Sequence, residues 1–238
     1  MGKMDFTNHH KEKLLNEVYG KLQHGASPSH SLVSFLRSTP ISEWLKERKD
    51  EGPWAELGCG MRSLFESWQD IFDLGLKNNL YGLDLSSIAI ERAQQYGTIH
   101  YQQADCTLEI PHGPHAVILD GHFLHCLNSV PEVYQTLGKI REALIPGGIY
   151  IGEVMLAHKS LSFDTQFEYD VQSNLLYKDD IPSRIIMDAF EWEDMFVSSG
   201  LKIKYFVCQS SIKIIPEDSR DVAMNGDPEC LRFCLERI

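Results

Sequence analysis

From Trp54 onward the chain alternates short apolar runs with longer stretches in which apolar residues recur every three or four positions. The first pattern reads as strands buried on both faces and the second as amphipathic helices. Strands are expected over 54–57, 80–83, 99–102, 116–119 and 149–154, with a helix in most of the intervals. One helix runs through Leu64, Trp68 and Ile71. The next takes Ser87 as its cap, begins at Ile88 and stops at Gly97. Another opens at the capping sequence Ser129-Val-Pro-Glu132 and runs to Leu144. The rhythm returns at Asp188-Ala-Phe-Glu191, again a capping box, with a helix to Ser199 and a stop at Gly200. A strand over 201–207 follows, and a last one over 229–235 pairs with it through a long connection between Pro216 and Pro228. Together these elements predict an α/β fold: a doubly wound, Rossmann-like sheet of seven strands, mostly parallel with an antiparallel C-terminal strand.

Two segments stand outside this rhythm. Residues 1–50 read as an N-terminal helical cap. A helix over about 5–23 carries the apolar stripe Leu14, Leu15, Val18 and Leu22, a second starts near Pro28, and a third carries Ile41, Trp44 and Leu45. Lying before the first strand, they are expected over the core rather than in it. Residues 156–187, within the 51–238 core, are rich in Asp, Ser, Tyr and Phe without a clear period, and are too long for an ordinary connection. They read as a substrate-facing insertion with short helices.

The chemistry concentrates where strands end. The run Trp54-Ala-Glu-Leu-Gly-Cys-Gly closes a strand on an acid and then Gly-x-Gly, a turn that lets a ligand approach backbone N–H groups at a helix start. It is followed by Asp84 in Tyr81-Gly-Leu-Asp-Leu-Ser86, by Ala104-Asp105-Cys106, by Val117-Ile-Leu-Asp-Gly-His-Phe-Leu-His125, and by Leu144-Ile-Pro-Gly-Gly148. In this order the landmarks resemble those of the class I S-adenosylmethionine-dependent methyltransferases over roughly residues 50–238. The resemblance implies S-adenosylmethionine as cofactor and S-adenosylhomocysteine as product. It places Glu56, Gly58, Cys59 and Gly60 under the methionyl part, and Asp84, with Leu85 beside it, on the ribose hydroxyls. Ala104, Asp105 and Cys106 fall near the adenine. Asp120 would accept from the methionyl ammonium, and Gly121 would let the backbone approach the cofactor.

The chain departs from that pattern at Arg62, where the family's first motif has a third glycine. The cation either meets the methionyl carboxylate or points to solvent. Ser63 occupies the third-glycine position of a dinucleotide fingerprint, which disfavours a nicotinamide cofactor. His122 and His125, at the exit of the fourth strand, are the candidate acid/base or substrate-orienting residues, with hydrogen-bonded structural histidines as the plainer reading. Asp120, His122, His125 and Glu153 together could hold a divalent metal, but the family's ligand pattern is not matched and none is assigned. Tyr19, Trp44, Phe163, Phe167, Tyr169 and Tyr177 could build an acceptor pocket or belong to the core. Arg184 either clamps an acceptor carboxylate or pairs with Asp179 or Asp180. His9-His10 reads as a solvated pair.

Bulk properties narrow the partners. With 22 Lys and Arg against 34 Asp and Glu, the net charge of −12 argues against a broad nucleic-acid surface. No apolar run reaches bilayer length and none resembles a signal peptide, so the expectation is a cytoplasmic protein, monomer or homodimer, without membrane contact. The six cysteines show no Cys-x-x-Cys spacing and read as reduced, with Cys59 and Cys106 packing in the cofactor turns. The reading is a methyltransferase acting on an oxygen or nitrogen of a small molecule. The rivals are a protein or tRNA methyltransferase, and a regulatory protein that binds S-adenosylmethionine without turnover.

Overall fold

The structure, a computed structural model, describes residues 7–22, 30–67, 79–97, 99–216, 220 and 222–238. Seven strands form one sheet: β1 (Trp54–Leu57), β2 (Leu80–Asp84), β3 (His100–Gln103), β4 (His115–Asp120), β5 (Leu144–Leu156), β9 (Leu201–Lys213) and β10 (Glu229–Arg237). Their order is β3-β2-β1-β4-β5-β10-β9. The first five pair in parallel, and β10 runs antiparallel to both β5 and β9. The order in which successive strands are added reverses between β1 and β4, which opens a crevice beyond their carboxyl ends.

Side-chain alternation along the central strands builds two cores. Ala55, Leu57, Ile118 and Tyr150 face a layer made by α6 (Val130–Ala143) and α7 (Ala189–Ser198), through Val133, Leu137, Ile140, Trp192 and Phe196. Trp54, Val117, Leu119, Ile149 and Ile151 face the other way, toward α5 (Ser87–Ala93) and two N-terminal helices, α2 (His30–Arg37) and α3 (Ile41–Glu47). Burying both faces explains why every residue of β1 and β4 is buried.

Three expectations need correction. First, α2 and α3 do not merely lie over the core. Leu32, Phe35, Leu36, Ile41 and Leu45 are fully buried in it, because the doubly wound sheet needs a helical layer on that face. Only α1 (Asn8–Lys21) lies across strand ends, and no residue of it is buried; Leu14 and Leu22 of the expected apolar stripe are exposed. Its docking face is polar instead, as the site shows. Second, the helix after β2 takes Ser86 as its cap, its hydroxyl accepting from Ala89 N at 3.1 Å, and ends at Ala93. Third, the 156–187 segment contains no helix. It is an antiparallel sheet of β6 (Phe167–Asp170), β7 (Leu175–Lys178) and β8 (Ile181–Ile185). Its polar residues make the turns: Asn174, Asp179 and Asp180 adopt left-handed φ of 57°, 52° and 62°, the conformation a tight hairpin needs. Phe163, Phe167 and Tyr169 pack against Met155, Leu176 and Ile186 in a small core under this sheet. The helix turns carrying Trp68 and Ile71, and the start of the second helix near Pro28, lie outside the described residues.

Candidate functional site

The turn after β1 has the conformation its glycines allow. Gly58 and Gly60 have φ of 67° and 58°, where a side chain is strained, and a Cβ on Gly58 would come within 3.1 Å of Phe123. Asp84, at the end of β2, binds this turn to its own: one carboxylate oxygen accepts from Gly60 N at 2.9 Å and the other from Ser86 N at 2.8 Å. Burial pushes its pKa above the usual carboxylate range, against the pull of those two N–H groups. Ala104 N donates to Asp84 O at 2.9 Å, which brings the third landmark beside the second.

Glu56 is nearly inaccessible at 3% exposure. It accepts from the Ser63 hydroxyl and from Leu64 N at 2.7 Å, the first residue of α4 (Leu64–Ser67). Ser63, which the sequence offers only as a break in a dinucleotide fingerprint, therefore holds the acid in place. Burial raises the Glu56 pKa to about 8. Gly121 serves this acid too: a Cβ there would stand 2.8 Å from Glu56 Oε1, so its missing side chain makes room for the carboxylate.

Asp120 is fully buried, and three donors occupy its carboxylate: Tyr150 OH at 2.5 Å, Phe123 N at 2.6 Å and Leu124 N at 3.0 Å. Its carboxylate thus folds the turn after β4. That turn places His122 and His125 with rings 5.3 Å apart and edge to face. His122 adopts a φ of 78°, unusual for a side chain of its size. Burial, with His125 beside it, lowers its pKa to about 4; burial and the charge of Arg184 lower that of His125 to about 3. Both imidazoles are neutral at pH 7.

The face of α1 that meets the core carries Asn8, Lys11, Glu12, Asn16 and Tyr19. Asn8 Nδ2 donates to Asp105 Oδ2 and Thr107 Oγ1, both at 2.9 Å, while Thr107 occupies the other Asp105 oxygen. Asn16 Oδ1 accepts from the Ser86 hydroxyl at 2.6 Å, and Gln103 donates to Glu12 at 2.8 Å and to Leu85 O at 3.1 Å. Lys11 Nζ donates to Cys126 O, and a Cβ on Gly60 would stand 3.3 Å from Tyr19 OH. One helix face thus reaches the turns after β1, β2, β3 and β4. Only the choice of polar residues at spacings of three and four signals this in the sequence, and a search for apolar stripes passes over it.

Other candidates have structural partners. Cys59 and Cys106 are buried, and burial pushes both thiols up; no cysteine is disulfide-bonded. Glu153 is held by Arg232 Nε at 2.7 Å and by Ser31 Oγ at 3.0 Å. Among the described residues no three His, Cys, Asp or Glu side chains form a metal-holding group. Arg62 lies over the Tyr96 ring, 5.1 Å from its centre, rather than entirely in solvent. Trp44 carries Lys204 over its ring at 4.6 Å. Arg184 makes no ion pair with Asp179 or Asp180 among the described residues; its guanidinium donates only to Ser183, to O at 2.8 Å and Oγ at 3.4 Å.

Residues 55–152, which carry these turns, match the family model of a methyltransferase domain. The chain therefore carries a methyltransferase domain of the S-adenosylmethionine-dependent kind. The methyltransferase's cofactor is accordingly S-adenosylmethionine. No curated protein matches the chain in sequence. Among solved structures, the fold is similar to one from work on the conversion of a disulfide bond into a thioacetal group during echinomycin biosynthesis, at 18% identity and TM-score 0.63, covering 96% of this chain and 93% of that one. It is also similar to the CcbJ methyltransferase from Streptomyces caelestis (13% identity, TM-score 0.62, covering 99% and 100%). A third is CalS10 with bound S-adenosylmethionine, an amino pentose methyltransferase from Micromonospora echinaspora involved in calicheamicin biosynthesis (11% identity, TM-score 0.59, covering all of both chains). No helix among the described residues of the methyltransferase is long and apolar enough to cross a membrane.

Proposed function

We propose that the methyltransferase acts on an oxygen or nitrogen of a small-molecule acceptor, bound between the turn after β4, α1 and the β6–β8 sheet. The observation that carries this reading is the His122–His125 pair, neutral at pH 7 and beside the cofactor turns. The cofactor supplies an electrophilic methyl group on a sulfonium, so the protein's task is to align a nucleophile and exclude water. A histidine that resists protonation is better suited to accept a hydrogen bond from the nucleophile, and so orient its lone pair, than to store its proton. His122, nearer the end of β4, takes that role, with His125 packed against it. Glu56, Gly58 and Gly60 hold the methionyl part, Asp84 the ribose, and the turn at Ala104–Cys106 the adenine. The rival in which the cofactor binds without turnover draws on Arg62 and on the absence of an unambiguous catalytic residue; the stacking of Arg62 on Tyr96 weakens the first of these grounds.

The experiment is a screen for S-adenosylhomocysteine release across a small-molecule panel, with His122→Gly beside the wild type. Glycine relieves the left-handed backbone, so the variant keeps its Tm within a few degrees while kcat falls about 10- to 100-fold. Unchanged kcat would remove His122 from the mechanism, and turnover only with RNA or a protein would replace the acceptor class.

Glu56 adds a pH signature. The methionyl ammonium needs the ionised carboxylate, which burial leaves protonated below about pH 8. Affinity for S-adenosylhomocysteine is therefore expected to rise from pH 6 to 8 by up to about tenfold per unit, with proton release seen by calorimetry in two buffers. Glu56→Gln should bind weakly with a flat profile; a flat wild-type profile would sink this assignment. The same acid destabilises the free protein as pH rises from about 4.5 to 8, since only the unfolded chain releases its proton in that window.

A further inference from the structure

Two basic side chains at the proposed acceptor cleft make no ion pair among the described residues. Strand β8 packs onto the short turn Leu124–Cys126 and brings Arg184, half-buried, to it. Lys11 reaches the same turn from α1 and donates to Cys126 O. Neither makes an ion pair among the described residues. Burial lowers the pKa of Lys11, and the charge of Arg184 acts in the same direction on Lys11, His122 and His125. His125, 1% exposed, has an Nδ1 with no hydrogen-bond partner.

The neighbouring acids are occupied elsewhere. Glu153 is ion-paired with Arg232 and accepts from Ser31 Oγ, and Asp120 accepts from three donors. Asp105 is taken by Asn8 and Thr107, and Glu132 accepts from Asn128 N at 2.6 Å. In a chain with a net charge of −12, a half-buried Arg and Lys that share no carboxylate form a local exception. Such charges are costly to bury alone, and the guanidinium fork matches a carboxylate or phosphate through two parallel hydrogen bonds.

We propose that the methyl acceptor carries an anionic group, a carboxylate or a phosphate, held by Arg184 and Lys11 beside the His122–His125 pair. This rests on the reading of that cleft as the acceptor site. The anion anchors one end of the acceptor while the histidines orient the nucleophilic atom, so an uncharged analogue loses its alignment as well as its affinity.

The test titrates the full chain with inorganic phosphate and with benzoate, using chloride at equal ionic strength as the control, both in the presence of saturating S-adenosylhomocysteine and without it. Saturable binding of one of the two anions is expected, and which one binds more tightly distinguishes the phosphate from the carboxylate source. Arg184→Gln should weaken it at least tenfold and Arg184→Lys less, with affinity for S-adenosylhomocysteine unchanged in both. Absence of saturable binding by either anion, or equal binding by wild type and Arg184→Gln, would overturn the proposal. Failure of S-adenosylhomocysteine itself to bind, with anion binding intact, would strike the cofactor assignments and leave this one standing.

Discussion

Asp84→Ala is expected to weaken binding of S-adenosylmethionine and S-adenosylhomocysteine by about a hundredfold to a thousandfold. A carboxylate that accepts from both ribose hydroxyls makes two charge-assisted hydrogen bonds, and at the low end of their usual worth, about 1.5–2 kcal/mol each, their loss amounts to roughly 3–4 kcal/mol. The same change frees Gly60 N and Ser86 N, so the turns after β1 and β2 lose their common acceptor. Titration calorimetry of the wild type and variant with both compounds, and with NAD as the control, measures the effect. Asp84→Asn, which keeps the volume and one acceptor oxygen, should fall between them. Unchanged affinity in the alanine variant would remove Asp84 from the cofactor site, and binding of NAD alone would overturn the cofactor.

Arg232→Met is expected to lower stability by about 3–5 kcal/mol, the usual cost of leaving one partner of a buried ion pair alone. Glu153 is 1% exposed, and its carboxylate has Arg232 Nε at 2.7 Å. The guanidinium also holds Ser31, donating to its carbonyl at 2.9 Å and its hydroxyl at 2.6 Å. The pair therefore ties α2 to the strands β5 and β10, where residues 153 and 232 face each other in register. In a chain of this size the loss corresponds to a Tm lower by roughly 10 °C. Removing both charges in Arg232→Met/Glu153→Leu should recover most of it, because no uncompensated charge then remains. A change in Tm of less than about 2 °C for the single variant would show that the pair does not fasten this helix.

The centre of the sheet was legible because β1 and β4 are buried on both faces and announce themselves as apolar runs, and the helices beside them by caps such as Ser129 and Asp188. The β6–β8 sheet was not legible, since its acidic turn residues look like irregular chain until Asn174, Asp179 and Asp180 are seen in left-handed conformations. The layer position of α2 and α3 was missed for another reason. Apolar spacing tells that a helix has a face to bury, but not which surface will cover it.

The sequence by itself determined the order of the landmarks Glu56, Gly58, Gly60, Asp84 and Asp105, hence the alternating fold and the resemblance to S-adenosylmethionine-dependent methyltransferases, because tight turns and buried strands have local chemical requirements. The tertiary structure decided what each polar side chain does. Asp120 folds a turn, Glu153 fastens α2, Ser63 grips Glu56, and Asn8 and Asn16 hold α1 across the turns after β3 and β2. Those partners lie up to 201 positions apart in the chain, as Ser31 and Arg232 do. Hydrogen bonds and ion pairs depend on such distant neighbours, whereas hydrophobic periodicity depends on near ones.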